Sequence, residues 1–227
     1  AFDGQLSLDG TDLSIGMAEV DGLLRGQSLV SLDAARGVEG TQIRALDLRG
    51  QSLRAQGQGW IRSTGPDLTA RLDFTDLSVM GASYGGSLSA DATLKGKALD
   101  NDLNLTLKGS GSDLKTGIAE ADGFLRGETA LDIDAHLLDG IVTLRQAALT
   151  GQTWDAGISG FAGTESRDLR ARFALEDLSR AGGPYRGRLS GNLTYALTNG
   201  TDTAAIDAEA GDIAIGQADA DRLLRGV

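Results

Sequence analysis

The chain is close to the same sequence twice, with the opening of a third copy. Residues 12–26 read DLSIGMAEVDGLLRG, residues 113–127 read DLKTGIAEADGFLRG and residues 212–226 read DIAIGQADADRLLRG. The first two are offset by 101 positions and the last two by 99. Self-similarity at a fixed period marks an array of one repeated unit, in which neighbours bury one another. Function is therefore expected on a surface made by many elements, not in one catalytic cluster.

The offset of 101 holds between the anchors. Gly50-Gln51 matches Gly151-Gln152, Leu53 matches Trp154, and Asp76-Leu77-Ser78 matches Asp177-Leu178-Ser179. Glycine, aspartate and apolar size recur, while outward-type polar positions drift. The units run as residues 1–22 (end of a preceding repeat), 23–123 (unit 1), 124–222 (unit 2) and 223–227 (start of the next), in one continuous elongated body.

Period-2 alternation dominates, which predicts half-buried strands. Leu68, Ala70, Leu72 and Phe74 alternate with Thr69, Arg71 and Asp73, and Leu169, Ala171, Phe173 and Leu175 repeat the pattern. Leu88 to Leu94, Leu103 to Leu107, Val30 to Ala34 and Leu131 to Ala135 alternate in the same way. Further strands are predicted near 4–9, 12–16, 41–49, 52–62, 141–150, 153–162 and 204–216. Turns are predicted at Asp9-Gly10, Arg49-Gly50 and Asn199-Gly200. The anchor stretches 18–26, 119–127 and 218–226 break the alternation. Each reads as a short helical turn with a glycine C-cap that covers a sheet end, placing Arg25, Arg126 and Arg225 near a helix C-terminus.

Every strand is thus apolar on one face, and a dozen or more such strands form an antiparallel sheet too large to stay flat. A closed barrel, a two-sheet sandwich or a folded-over trough would each shelter the apolar face. The repeat favours the extendable solution, because a closed barrel cannot be lengthened by adding units. The 33 glycines, two prolines and few aromatics suit many short strands and tight turns.

The formal net charge of −11 argues against nucleic acid and anionic membrane surfaces as partners. There is no cysteine, so no disulfide forms and the redox compartment is left open. No apolar run reaches the length of a membrane span. The chain opens inside a strand-like stretch and stops just after an anchor, which reads as a segment of a longer repeat protein.

The alternating strands, glycine-rich turns and recurrent Asp-Gly-Leu-Leu-Arg-Gly phrase resemble the β-rich repeat region of the TamB family, inner-membrane-anchored subunits of the translocation and assembly module of Gram-negative bacteria. The alanine- and aspartate-rich style resembles alphaproteobacterial members, and AsmA-like and lipopolysaccharide bridge proteins look similar at this level. The resemblance covers essentially the whole chain and rests on pattern, since the family has no catalytic motif to match. It implies an all-β fold, an extended curled antiparallel sheet (a β-taco with an open apolar groove) with short helical turns between repeats of ~100 residues. It further implies a periplasmic location and a conduit for phospholipid between the inner and outer membranes, with the outer-membrane barrel TamA engaged through regions outside this segment. The membrane anchor and C-terminal domain of the family would likewise lie outside it.

The residues expected to line a lipid groove are Leu32, Leu68, Leu72, Phe74, Leu88, Leu94, Leu105, Ile133, Leu169, Phe173, Leu175, Leu189 and Leu193. From the residues alone, the same face could equally be a dry core between two apposed layers. Two other roles are compatible with the pattern: a chaperone-like module that pairs its edges with incoming β-strands of outer-membrane proteins or autotransporters, and a structural spacer. Edge-to-edge self-association belongs to the same expectation. No cofactor, metal or enzymatic activity is expected. His136, the only histidine, falls on the polar face, and no Ser/His/Asp set, calcium-loop repeat or marked carboxylate pair appears. Trp60 and Trp154 are not repeat equivalents, and each is expected to anchor the groove or an edge.

Overall fold

In a computed structural model of the chain, the described residues are 1–12, 25–97, 101–198 and 200–224. The strands are β1 (Phe2–Thr11), β2 (Gln27–Gly37), β3 (Gly40–Arg49), β4 (Leu53–Arg62), β5 (Gly65–Phe74), β6 (Gly85–Lys97), β7 (Asp102–Lys115), β8 (Glu128–Leu138), β9 (Ile141–Thr150), β10 (Trp154–Ala162), β11 (Arg167–Leu175), β12 (Arg186–Thr198) and β13 (Thr201–Ala214). They form one sheet of 13 strands in sequence order. Each strand pairs antiparallel with the next, and β1 and β13 are free edges, so the sheet is open. The fold is the all-β curled sheet with short helical turns that the repeat led us to expect. The sheet crosses residues 123–124 without a break in pairing order.

Two short helices, α1 (Ala119–Phe124) and α2 (Ala218–Leu224), and two 3₁₀ turns, Leu77–Met80 and Leu178–Ala181, lie at one end of the strands. The equivalent anchor at 13–24, and with it the strand expected at 12–16, falls outside the described residues beyond Asp12, as does Arg225. The α1 link joins β7 to β8, and the second 3₁₀ turn joins β11 to β12. In a flat ladder their roots would stand about 19 Å apart, four strand spacings of about 4.8 Å. Instead they touch. Gly123 packs so close to the Arg180 carbonyl that a Cβ there would sit 1.9 Å from its oxygen, and Arg180 Nη2 donates to the Arg126 carbonyl at 2.8 Å. The sheet end therefore curls or its links lean inward over it.

The anchor is held by aspartates. Asp113 sits in the left-handed region at φ 51°, donates its backbone N–H to the Gly127 carbonyl (N···O 2.9 Å), and accepts the Gly127 N–H on its own carboxylate at 3.0 Å. Asp12 and Gly26 repeat this closure at 2.9 Å. Gly127 is thus not the expected C-cap: α1 ends on Leu125, and the glycine two residues further on pins the loop to β7. Asp9-Gly10 is also not a turn. Both residues stay paired in β1, opposite Leu29 and Ser28, and the strand runs on to Thr11. Asn199 lies outside the described residues.

Asp122 on α1 accepts the Thr116 N–H at 2.6 Å, and Asp221 on α2 accepts that of Ile215 at 2.7 Å. The Thr116 N–H holds the Asp122 carboxyl below its ordinary range. A depressed pKa stabilises the fold above the unfolded carboxyl value, about 4, and that contribution disappears as pH falls through the folded value. We expect Asp122→Asn to lower the Tm at pH 7 and the difference from the parent to shrink as pH drops below about 4. A gap that stayed constant over that range would show that the charge contributes nothing.

Candidate functional site: an apolar sheet face

The register places apolar residues of every strand on one face. Along a middle row, Leu6 lies opposite Leu32, Leu32 opposite Leu46, Leu46 opposite Gly57, Gly57 opposite Ala70, Ala70 opposite Ala92 and Ala92 opposite Leu107. The row continues through Ile133, Ala147, Ile158, Ala171, Leu193 and Ile206. No charged residue interrupts it. All thirteen expected lining residues fall on this face. Leu68, Leu94 and Leu105 form a second run, and Phe74 with Leu88 a third. In the other unit, Phe173 sits beside Gly191, and Leu175 beside Leu189.

None of the thirteen is buried. Leu105 and Leu193 are exposed and the rest are half-exposed. No second layer covers them among the described residues. The buried apolar side chains are only Ala34, Leu53, Ala90, Leu125, Leu131 and Trp154 among those described. Burial is uneven along the strands. At the end carrying the helical links, Leu131 and Trp154 are 8% exposed and Ser28 and Thr129 are fully buried, yet Leu149 opposite Leu131 is 37% exposed; towards the other end Ala34 is 4% exposed and Leu105 40%. Contiguous exposed apolar area on this scale is uncommon on a protein without a partner for it.

The opposite face is polar and laced with ion pairs. Its most regular device is a pair of bulge arginines 101 residues apart. Arg44 is the extra residue of β3 relative to both β2 and β4, and Arg145 that of β9 relative to β8 and β10. Arg44 donates to Asp33 on β2 at 2.7 Å and also to Asp3 on β1, two strands away. Arg145 donates to Asp134 on β8 at 2.9 Å and to Asn104 on β7 at 2.8 Å. Arg44 holds the Asp3 carboxyl below its ordinary range, and Arg145 does the same to Asp134. A bulge bends and twists its strand, and a guanidinium spanning three strands fixes that bend. The alternation missed this device. Its sequence signal is the break in step at Ile43-Arg44-Ala45-Leu46, repeated at Leu144-Arg145-Gln146-Ala147.

A depression of about 500 Å³ on the polar face is lined by Arg44, Gln56, Thr69, Arg71 and Asp91. It is a pit between long side chains, floored by the small residues Gly57, Ala70 and Ala92. His136 lies on the polar face with Nε2 2.8 Å from Asp102. Trp60 also faces this side, opposite Gln42 and Asp67, with the Arg62 guanidinium 4.5 Å from its ring centroid. Its repeat counterpart is Phe161, so it is not a groove anchor; Trp154 lies on the apolar face beside Leu175. Among the described residues no group of three or more His, Asp or Glu could hold a metal ion, and no helix is long and apolar enough to cross a membrane.

The fold and face define a class by geometry alone, an open one-faced β-repeat sheet. No family model, no curated protein and no solved structure matches this chain.

Proposed function

We propose that this chain is a segment of a TamB-like periplasmic lipid conduit whose apolar sheet face shields phospholipid acyl chains between the inner and outer membranes. The observation that carries this reading is the uninterrupted apolar row across thirteen strands, none of it buried and none of it covered by a second layer among the described residues. An acyl chain leaving water gains about 0.8 kcal/mol per buried CH₂. A surface of leucine, alanine and isoleucine supplies that gain almost evenly along its length. It offers no polar contact to trap a headgroup, and even weak holding suits sliding better than one deep site. Twelve strand spacings of about 4.8 Å give a path of about 58 Å. Coupling to TamA and anchoring to the inner membrane would belong to other regions of such a protein. The half-exposed face favours this reading over a spacer with a dry core.

The test is binding of a phospholipid with a fluorescent acyl chain to the purified protein. The parent should bring the probe into an apolar setting, with a blue shift and increased intensity. Leu72→Asp together with Ile133→Asp should cut probe binding about tenfold or more, since each carboxylate would strip its flanking row of apolar contact. Both sites are half-exposed, so the fold should survive with a loss of under about 3 kcal/mol in total. Unchanged binding in a folded double variant would refute the conduit.

A further inference from the structure

The polar face carries the same depression twice, once in each unit, with different charge. Beside the Arg44 bulge its charged lining is Arg44, Asp47, Arg71 and Asp91, two cations against two anions. Beside the Arg145 bulge the equivalent depression, about 360 Å³, is lined by Arg145, Arg170 and Arg172 and by no acidic residue. Exchanges at positions 101 residues apart make the difference. Thr69 becomes Arg170, Asp47 becomes Ala148 and Asp91 becomes Asn192, while Asp73, just outside the lining, becomes Ala174. In the first unit Arg71 lies 3.2 Å from Asp91 and 3.5 Å from Asp73, and it donates to Ser89 at 3.0 Å. Its counterpart Arg172 has lost both acids and makes no hydrogen bond or ion pair among the described residues. On its far side Arg172 shares a second depression with Asp155, Asp207 and Glu209, yet pairs with none of them. Its Nε lies over Gly157 instead, where a Cβ would meet it at 3.1 Å. The first unit has Gln56 at that position, bonded to Asp47 at 3.2 Å.

We propose that the depression beside Arg145 is a binding site for a phosphate group, held by Arg170 and Arg172. The two arginines are neighbours on the polar face of β11, about 6.6 Å apart along the strand. Register sets Ser159 opposite Arg170 and Asn192 opposite Arg172. A phosphate has enough oxygens to accept a fork from each guanidinium and further bonds from the Ser159 hydroxyl and the Asn192 amide, whereas a carboxylate is filled by one fork. Arg170 is free to turn inward, since its one ion pair is loose, Nε 3.5 Å from Asp168, and its side chain is 71% exposed. Arg145 is committed to Asp134 and Asn104 and adds positive charge at the rim. Ala148 and Gly157 leave the floor clear of long side chains. The chain carries a net charge of −11, and the first unit shows this surface when its arginines serve only the sheet. The site lies across the sheet from the apolar row and is independent of what that row holds.

Arginine Nε–Hε resonances report the site residue by residue in NMR titrations at low salt, where exposed charges are least screened. The probes are inorganic phosphate, a short-chain phosphatidic acid kept below its micelle concentration, and acetate. Saturable shifts are expected at Arg170 and Arg172 and none at Arg71, with acetate weaker by about tenfold or more. Asn192→Asp gives Arg172 the partner that Asp91 gives Arg71, and should weaken phosphate binding by about tenfold or more. Asn192 is exposed, so the fold should survive; if circular dichroism shows otherwise, Arg172→Gln asks the same question. Phosphate binding at least as tightly as phosphatidic acid assigns the site to a free phosphate group, and tighter phosphatidic acid assigns it to a lipid headgroup. No saturable shift with either phosphate probe, equal shifts at Arg71, acetate as tight as phosphate, or parent-like binding by folded Asn192→Asp would overturn the proposal.

Discussion

Replacing Trp154 by alanine should destabilise the protein by about 3–5 kcal/mol, the range for emptying a buried tryptophan site. Trp154 opens β10 on the apolar face, 8% exposed and opposite Leu175. Its indole lies across the β9–β10 turn, so close to Gly151 that a Cβ there would meet Nε1 at 2.0 Å. Few side chains of this sheet are so enclosed, which is why one truncation weighs heavily. Nε1 is buried with no partner among the described residues, so the loss comes from packing and not from a hydrogen bond. The first unit places Leu53 here, equally buried. Trp154→Leu should therefore recover more than half of the loss. Urea unfolding measures both, and an alanine variant within about 0.5 kcal/mol of the parent, as for a surface site, would contradict the packing described.

Gly160→Val should cost a comparable amount for a different reason. Gly160 sits at φ 127°, a conformation that side chains rarely adopt, where β10 faces the bulge in β9. A Cβ there would stand 2.0 Å from the Asp168 carbonyl oxygen on β11. The obstacle is backbone, so no side chain can swing away. Strain of about 1–3 kcal/mol in the backbone adds to a similar cost of overpacking, and the β10–β11 ladder must part to admit the branch. The expected loss is about 3 kcal/mol or more. Gly59, its counterpart at φ 140° and with a Cβ position 2.1 Å from the Asp67 carbonyl oxygen, should respond alike. Gly4, where an added methyl would meet nothing within 4 Å, should accept alanine within about 0.5 kcal/mol. Equal effects at Gly4 and Gly160 would contradict the close approach.

The strand faces were legible because period-2 alternation depends on one residue at a time. Leu68 to Phe74 and Leu169 to Leu175 declare their apolar side without reference to any partner, and the 101-residue offset carried the assignment from one unit to the next. The features that escaped depend on two strands together. Asp9-Gly10 has the composition of a turn, yet β2 holds both residues in the ladder. Gly127 has the composition of a helix cap, yet Asp113 across the loop claims its N–H. Trp60 looks like an anchor by size, but it alternates in step with Gln56 and Gln58 along an unbroken β4, which presents it to the polar side, so here size misled where the alternation did not. The contact of Gly123 with Arg180 joins links four strands apart and leaves no mark in local sequence.

An apolar face that is open and holds lipid is tested most directly by a photo-crosslinking amino acid at Leu72, and separately at Arg71, in cells with the protein directed to the periplasm. Adjacent along β5, the two positions point to opposite faces. Phospholipid adducts are expected at Leu72 and none at Arg71. Absence of adducts at Leu72 in a folded protein, or equal labelling at both positions, would contradict the conduit.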